Sequence, residues 1–379
     1  MRVRLAAFVA ATLVACVSAV ASAEPMDPAL ERLVGVTSPD GKTFTPTPGV
    51  GADTCHPGGQ WKNDATGATV SVACQPDHAA FKRLVSQYAF AFAPTAMHSA
   101  RTTGYGGFHL SLESDFTSIS SGKYYWKYGT QGAVDPSNGS SSTQNSSPQS
   151  LLQLYSLKFR KSFGFGLEIT GIVGFMPKTS IISGGSDVRL SLLEGFRTGI
   201  GGVLPDVAVG GGVRTITGTP EFQLTVASLD AQISKPLPIQ DSQVLTPYVG
   251  YQYVWIFGDS GLVDLTPGTD ALRYCNYAGQ NVPGNTDPDA SKPADSGQPV
   301  CKGGSPLDFN NNVVFKPARL ERHRLIFGLN YRYEMVMLGG QFLIDAVPPA
   351  DAQNDAADKA ALKGEDRQYT MSFELGAMF

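Results

Sequence analysis

A transmembrane, antiparallel, up-and-down β-barrel of about ten strands, within roughly eight to twelve, is the fold class that the sequence predicts. Three observations carry it: a hydrophobic period of two from Gly104 onward, connections that alternate between long and short, and a last segment that alternates without a break to Phe379. The composition agrees. Only 16% of the 379 residues are charged and 42% are hydrophobic, whereas soluble domains carry about 25% charged residues. A mean hydropathy of −0.08 is far from that of a helical membrane protein, and after residue 23 no apolar run reaches the length of a spanning helix. A net charge of −4 removes the electrostatic case for nucleic-acid binding.

Residues 1–23 read as a signal peptide. Arg2 and Arg4 form the positive start, Leu5 to Val20 the apolar run, and Ala21-Ser22-Ala23 a small-residue cleavage site before Glu24-Pro25. Leu13-Val14-Ala15-Cys16 is a competing lipobox-like site, weakened by the apolar stretch that continues past it. Export leaves Cys55, Cys74, Cys275 and Cys301, an even set in an oxidising compartment. Of three connectivities, the local pairs Cys55–Cys74 and Cys275–Cys301 are the economical ones. Zinc is the rival, but there is no Cys-x-x-Cys spacing.

Residues 24–100 are expected to form an N-terminal periplasmic or plug segment. Its first part carries turn signals such as Ser38-Pro39-Asp40-Gly41. Asp77 then precedes Ala79, Phe81, Leu84, Val85, Tyr88 and Phe92, an amphipathic helix with an N-cap, and Pro94 stops it. A strand over Tyr88–Phe92 is the alternative.

Residues 101–379 are expected to be the barrel, with strand one over Gly104–Ile119. Alternation then recurs at Leu157–Phe159, Phe165–Val173, Val188–Leu192, Val207–Val213, Phe222–Val226, Val249–Trp255, Leu325–Tyr333, Met335–Ile344 and Tyr369–Phe379. In the sixth run Phe222, Leu224 and Val226 form the apolar face, and a phase slip near Ser228 suggests a bulge. A soluble β-sandwich would also alternate. Connection length separates the two. Long loops near 120–150, 258–318 and 347–366 fall on one end, and short turns near 162–163 and 333–334 on the other, which a sandwich has no reason to do. Tyr248, Tyr251, Tyr253, Trp255, Tyr331 and Tyr333 are candidates for aromatic girdles.

The last run places Tyr369, Met371, Phe373, Leu375, Ala377 and Phe379 on one face. Here the sequence resembles the Gram-negative outer-membrane β-barrel proteins, whose closing strand ends in an aromatic residue; no particular porin or transporter family is indicated. The resemblance implies that Tyr369, Phe373 and Phe379 belong to an assembly signal read by the barrel-assembly machinery. It also implies an outer-membrane location and, as partners, a lipid bilayer with lipopolysaccharide.

Projecting the polar face inward gives a lumen with His109, Glu113, Lys158, Arg160, Glu168, Arg189, Arg214, Arg324, Arg332 and Glu374. In so narrow a barrel these charges serve either as a closing ion-pair network or as a polar pathway for a small solute. His109-Leu110-Ser111 is similar to the His-x-Ser of outer-membrane lipid-modifying enzymes, but Leu112 follows where lipid A deacylases have asparagine, and the alternation turns the pair away from lipid. Four readings follow: a narrow channel or structural membrane protein without enzymatic chemistry, a transporter plugged by residues 77–93, a barrel enzyme using His109 and Ser111, or a secreted sandwich. No cofactor is implied.

Overall fold

The computed structural model describes residues 24–37, 44–46, 60–62, 69–71, 74–133, 144–195, 204–240, 242–264, 276–277, 299–300 and 312–379. The signal-peptide reading of residues 1–23 and the cysteines Cys55, Cys275 and Cys301 lie outside the described residues. Cys74 is described only as the first residue of the short strand Cys74–Pro76.

Ten strands pair in sequence order and close on themselves. They are β1 (Phe108–Ser118), β2 (Leu151–Ser162), β3 (Leu167–Phe175), β4 (Ile182–Leu193), β5 (Asp206–Thr217), β6 (Phe222–Ser234), β7 (Gln243–Ser260), β8 (Ala318–Tyr333), β9 (Val336–Asp345) and β10 (Tyr369–Met378). Every neighbouring pair is antiparallel. The seam is the β10–β1 ladder, which runs from Thr370 opposite Thr117 to Met378 opposite His109. The strand ends joined through 119–150, 176–181, 218–221, 261–317 and 346–368 lie at one end, and those joined through 163–166, 194–205, 235–242 and 334–335 at the other. The parity expected from sequence is therefore the parity of the fold. We name the two ends the loop end and the turn end.

The outside carries an apolar belt. Leu110, Leu112, Leu157, Phe159, Val213, Leu229, Phe327 and Phe373 all stand exposed, a side-chain distribution that requires a lipid environment. Toward the loop end the outer faces of β6 to β8 turn polar, with Gln223 and Thr225 outside and an exposed Arg319–Asp259 pair at 2.8 Å. These strands thus run past the belt.

Two expectations are corrected here. The ladders of β6 to both neighbours continue through Ser228 without a register shift, so there is no bulge at Ser228. Phe222, Leu224 and Val226 are buried on the inner face, in phase with Ser228, Asp230 and Gln232. The pattern inverts because both environments change along the strand: outside from water to lipid, inside from apolar to polar. Tyr248, read as a girdle residue, is buried in the lumen, where its hydroxyl donates to Gln341 Oε1 at 2.8 Å. The ring passes over Gly328 of β8, where any Cβ would collide with it.

Candidate functional site: an occupied lumen

Helix α1 (His78–Phe92) stands inside the loop-end half of the barrel. Its start follows the sequence signal, with Asp77 Oδ1 accepting from Ala80 N at 2.9 Å. The other carboxylate oxygen accepts from Tyr124 Oη at 2.6 Å. Burial, then the Asp77 carboxylate, holds the Tyr124 phenol above its ordinary range, so it stays a donor. Phe81, Leu84, Val85, Tyr88 and Phe92 join Phe222, Leu224, Val226, Val254, Ile256 and Leu320 of the wall in one apolar cluster. Phe81 packs on Phe315 with ring centroids 5.0 Å apart, and Tyr88 on Trp126 at 4.8 Å. Val85 lies against Gly258 of β7, where a Cβ would overlap it.

The polar residues of α1 face loops and wall rather than water. Lys82 pairs with Asp358, Arg83 Nε donates to Ala361 O at 2.7 Å, and Gln87 Nε2 donates to Glu365 Oε2 at 2.8 Å. Ser86 Oγ accepts from Arg322 Nη1 at 2.7 Å. The helix is therefore satisfied on all sides, as a buried helix must be.

From Pro94 the chain leaves the helix and descends to the turn end as a strap. Its main chain cannot join a sheet there, so wall side chains supply the hydrogen bonds. Arg324 donates to Phe90 O (3.2 Å) and, with Gln252, to Pro94 O (3.1 and 3.0 Å). Lower down, Gln341 and Gln232 donate to Thr95 O and Ala96 O, at 2.5 and 3.0 Å. Arg189 then holds His98 O and Ser99 O, both at 3.1 Å. Asn330 accepts from Ser99 N at 2.9 Å, and Ser234 from Ala100 N at 3.1 Å. Thr103 N reaches Ser162 and Glu168 at the bottom, each at 3.2 Å.

The charged wall residues sort into local sets. Lys158 pairs with Glu113, and Thr95 Oγ1 joins them, donating to Glu113 at 2.5 Å and accepting from Lys158 at 2.9 Å. Glu168 lies 3.4 Å from Arg160 and 3.3 Å from His98 Nε2. Arg189 sits 3.3 Å from Asp230, and Arg214 holds both oxygens of Asp187 at 2.7 Å. Glu374 accepts from Ser111 Oγ at 2.6 Å and lies 3.9 Å from Arg160. Arg332 shares their phase but not their burial: its side chain is exposed at the turn-end mouth. There it lines a cavity of about 230 Å³ together with Arg101, Arg160 and Asn330.

Sequence reasoning missed Arg322, which is held by Asp345 at 2.6 Å and Gln368 at 2.8 Å. It lies one step up the strand from Arg324 in the same phase, so extending the alternation toward residue 318 would have found it. It also missed the role of Gln232, Gln252 and Gln341, whose neutral amides give no charge signal. Tyr369, Phe373 and Phe379 stand on the outer face.

His109 and Ser111 are both buried and turned away from the lipid face. Ser111 donates to a carboxylate rather than to an imidazole. Neither His109 ring nitrogen has a hydrogen-bond partner among the described residues. The arrangement is not that of an activated nucleophile.

No protein-family profile matches the chain, and no curated protein matches it. Among solved structures it is similar to Ail, the attachment invasion locus protein of Yersinia pestis, at 9% identity over 73% of this chain and 100% of that one, with a TM-score of 0.23. Omp33 of Acinetobacter baumannii matches at 9% identity over 72% and 97%, TM-score 0.23. The translocator domain of the autotransporter NalP from Neisseria meningitidis matches at 9% identity over 73% and 89%, TM-score 0.28. None reaches a TM-score of 0.5. The assignment of a transmembrane β-barrel accordingly rests on the closed strand pairing and the exterior apolar belt.

Proposed function

We propose that this protein is an outer-membrane barrel sealed by its own N-terminal segment, with a structural role in the membrane and no open pore in its resting state. The loop end faces outward in this reading, as long loops do in outer-membrane barrels, and lipopolysaccharide lies against that half of the belt. The observation that carries the reading is the continuous filling of the lumen: an apolar helix above, a hydrogen-bonded strap below. His109 and Ser111 are wall residues in it, with no catalytic role. Conduction of a small solute would require the strap to leave.

Planar-bilayer recording tests the reading. The full chain should show no steady conductance, whereas removal of residues 24–103 should give a stable ohmic channel if the emptied barrel stays closed on itself. A steady conductance from the full chain would overturn the seal. A soluble protein without heat-modifiable mobility in unboiled detergent gels would overturn the barrel in a membrane.

A further inference from the structure

The chain ahead of β1 crosses the barrel from end to end. Residues 24–33 are fastened at the loop end: Met26 N donates to Lys178 O at 2.9 Å, Ala29 N to Gly129 O at 3.0 Å, and Arg32 Nη1 to Gln131 O at 3.0 Å. Asp27 Oδ1 accepts from Ser180 N at 2.7 Å. Asp77 and His78 are still at that end, the latter accepting from Lys316 N at 3.2 Å. By Thr102, which donates to Glu194 at 2.8 Å, the chain has reached the turns. Phe108, the first residue of β1, then pairs with Phe379. The start of β1 and the end of β10 share the turn end, while residues 24–33 and Asp77 sit at the opposite one.

The grip along this path has a particular chemistry. Gln252, Gln341, Gln232, Arg189 and Asn330 all address peptide carbonyls or N–H groups of the strap, at different heights. Main-chain groups are common to every residue. A wall that reads them can hold a chain that is not part of a sheet, here one that turns at Ala96, whose φ is +52° and whose carbonyl accepts from His98 N at 2.8 Å. Of the strap's own side chains at these levels, Thr95 and His98 meet the wall, at Glu113, Lys158 and Glu168, while Ala96, Ser99 and Ala100 are small and are held through main chain.

We propose that the lower lumen is a main-chain binding site for polypeptide outside the sheet, and that it has carried this chain's own N-terminal segment to the loop face, where residues 24–35 are packed among the loop-end connections with Glu24 and Pro25 half-buried at their edge. The statement that this face is the outside of the cell rests on the orientation given under Proposed function. The threading itself does not.

One protease site placed in three positions of the full-length protein separates the two. It is inserted between Glu24 and Pro25, in the 346–368 loop at Gly364, or in the 194–205 turn at Gly195, and intact cells are treated from outside. Threading predicts that the Glu24 and Gly364 variants are cut together and the Gly195 variant is spared. If the Glu24 site follows Gly195, the proposal is overturned. If only the Gly195 site is cut, the orientation fails while the threading stands. Cleavage is scored only on protein that keeps its heat-modifiable mobility, and an epitope inserted after Thr37, read by antibody on intact cells, supplies a second position. An epitope reached only after permeabilisation, in cells whose Gly364 site is cut from outside, would likewise overturn the proposal.

Discussion

Arg160 Nε lies 3.4 Å from a carboxylate oxygen of Glu168, both side chains buried, and Thr103 N donates to the other oxygen at 3.2 Å. Wall and strap are thus joined at a single carboxylate, which also accepts from Ser162 Oγ at 2.8 Å. Replacing Glu168 with alanine leaves Arg160 buried without its nearest counter-charge. For a dry site the cost is about 3–5 kcal/mol. Glu168→Ala should lower the thermal midpoint in detergent, and Glu168→Gln, which keeps an acceptor for Thr103, should lose less. Unchanged midpoints in both would show that water enters this part of the lumen and screens the pair.

The helix is seated by a missing side chain. Gly258 leaves the space that Val85 fills. Gly258→Val should cost about 1–3 kcal/mol, the usual range for overpacking, and should raise the frequency of brief openings in bilayer recordings by displacing α1. Stability loss with a silent bilayer would mean that the strap alone seals the lumen.

At the loop end three carboxylates face one another. Burial, then Glu31 and Asp264, raises Glu221 to about 7, and burial raises Glu31 against the opposing pull of Arg32. A carboxylate raised on folding binds more protons in the folded than in the unfolded state between its unfolded value, about 4.5, and about 7. Its contribution to stability therefore falls as pH rises through that window. Glu221→Gln should flatten the difference in thermal midpoint between pH 5 and pH 7.5. An equal pH dependence in both proteins would remove Glu221 as its source.

The closing seam ends in a reciprocal pair: Phe108 N donates to Phe379 O at 2.9 Å, and Phe379 N to Phe108 O at 2.7 Å. Phe379→Ala keeps those bonds and removes only the exposed ring. If the ring is part of an assembly signal, the amount of heat-modifiable barrel should drop while export is unchanged. Normal yield of the alanine variant would make the ring incidental.

Strand count, the parity of the connections and the inward phase of β1, β2 and β10 were legible in the sequence. A period of two assigns residues to two faces whatever their partners, and here one face is consistently apolar against lipid. The N-cap at Asp77 and the stop at Pro94 were legible because capping and proline act locally. What fills the lumen was not. Alternation separates two faces without stating what lies against either, so the inner apolar patch of Phe222, Leu224 and Val226 looked like an outer one followed by a slip at Ser228. Only the tertiary structure brings α1 against that patch, more than 100 residues away in sequence. The neutral glutamines that hold the strap were silent for a related reason: they bind main chain, and main chain carries no signature in the sequence that supplies it.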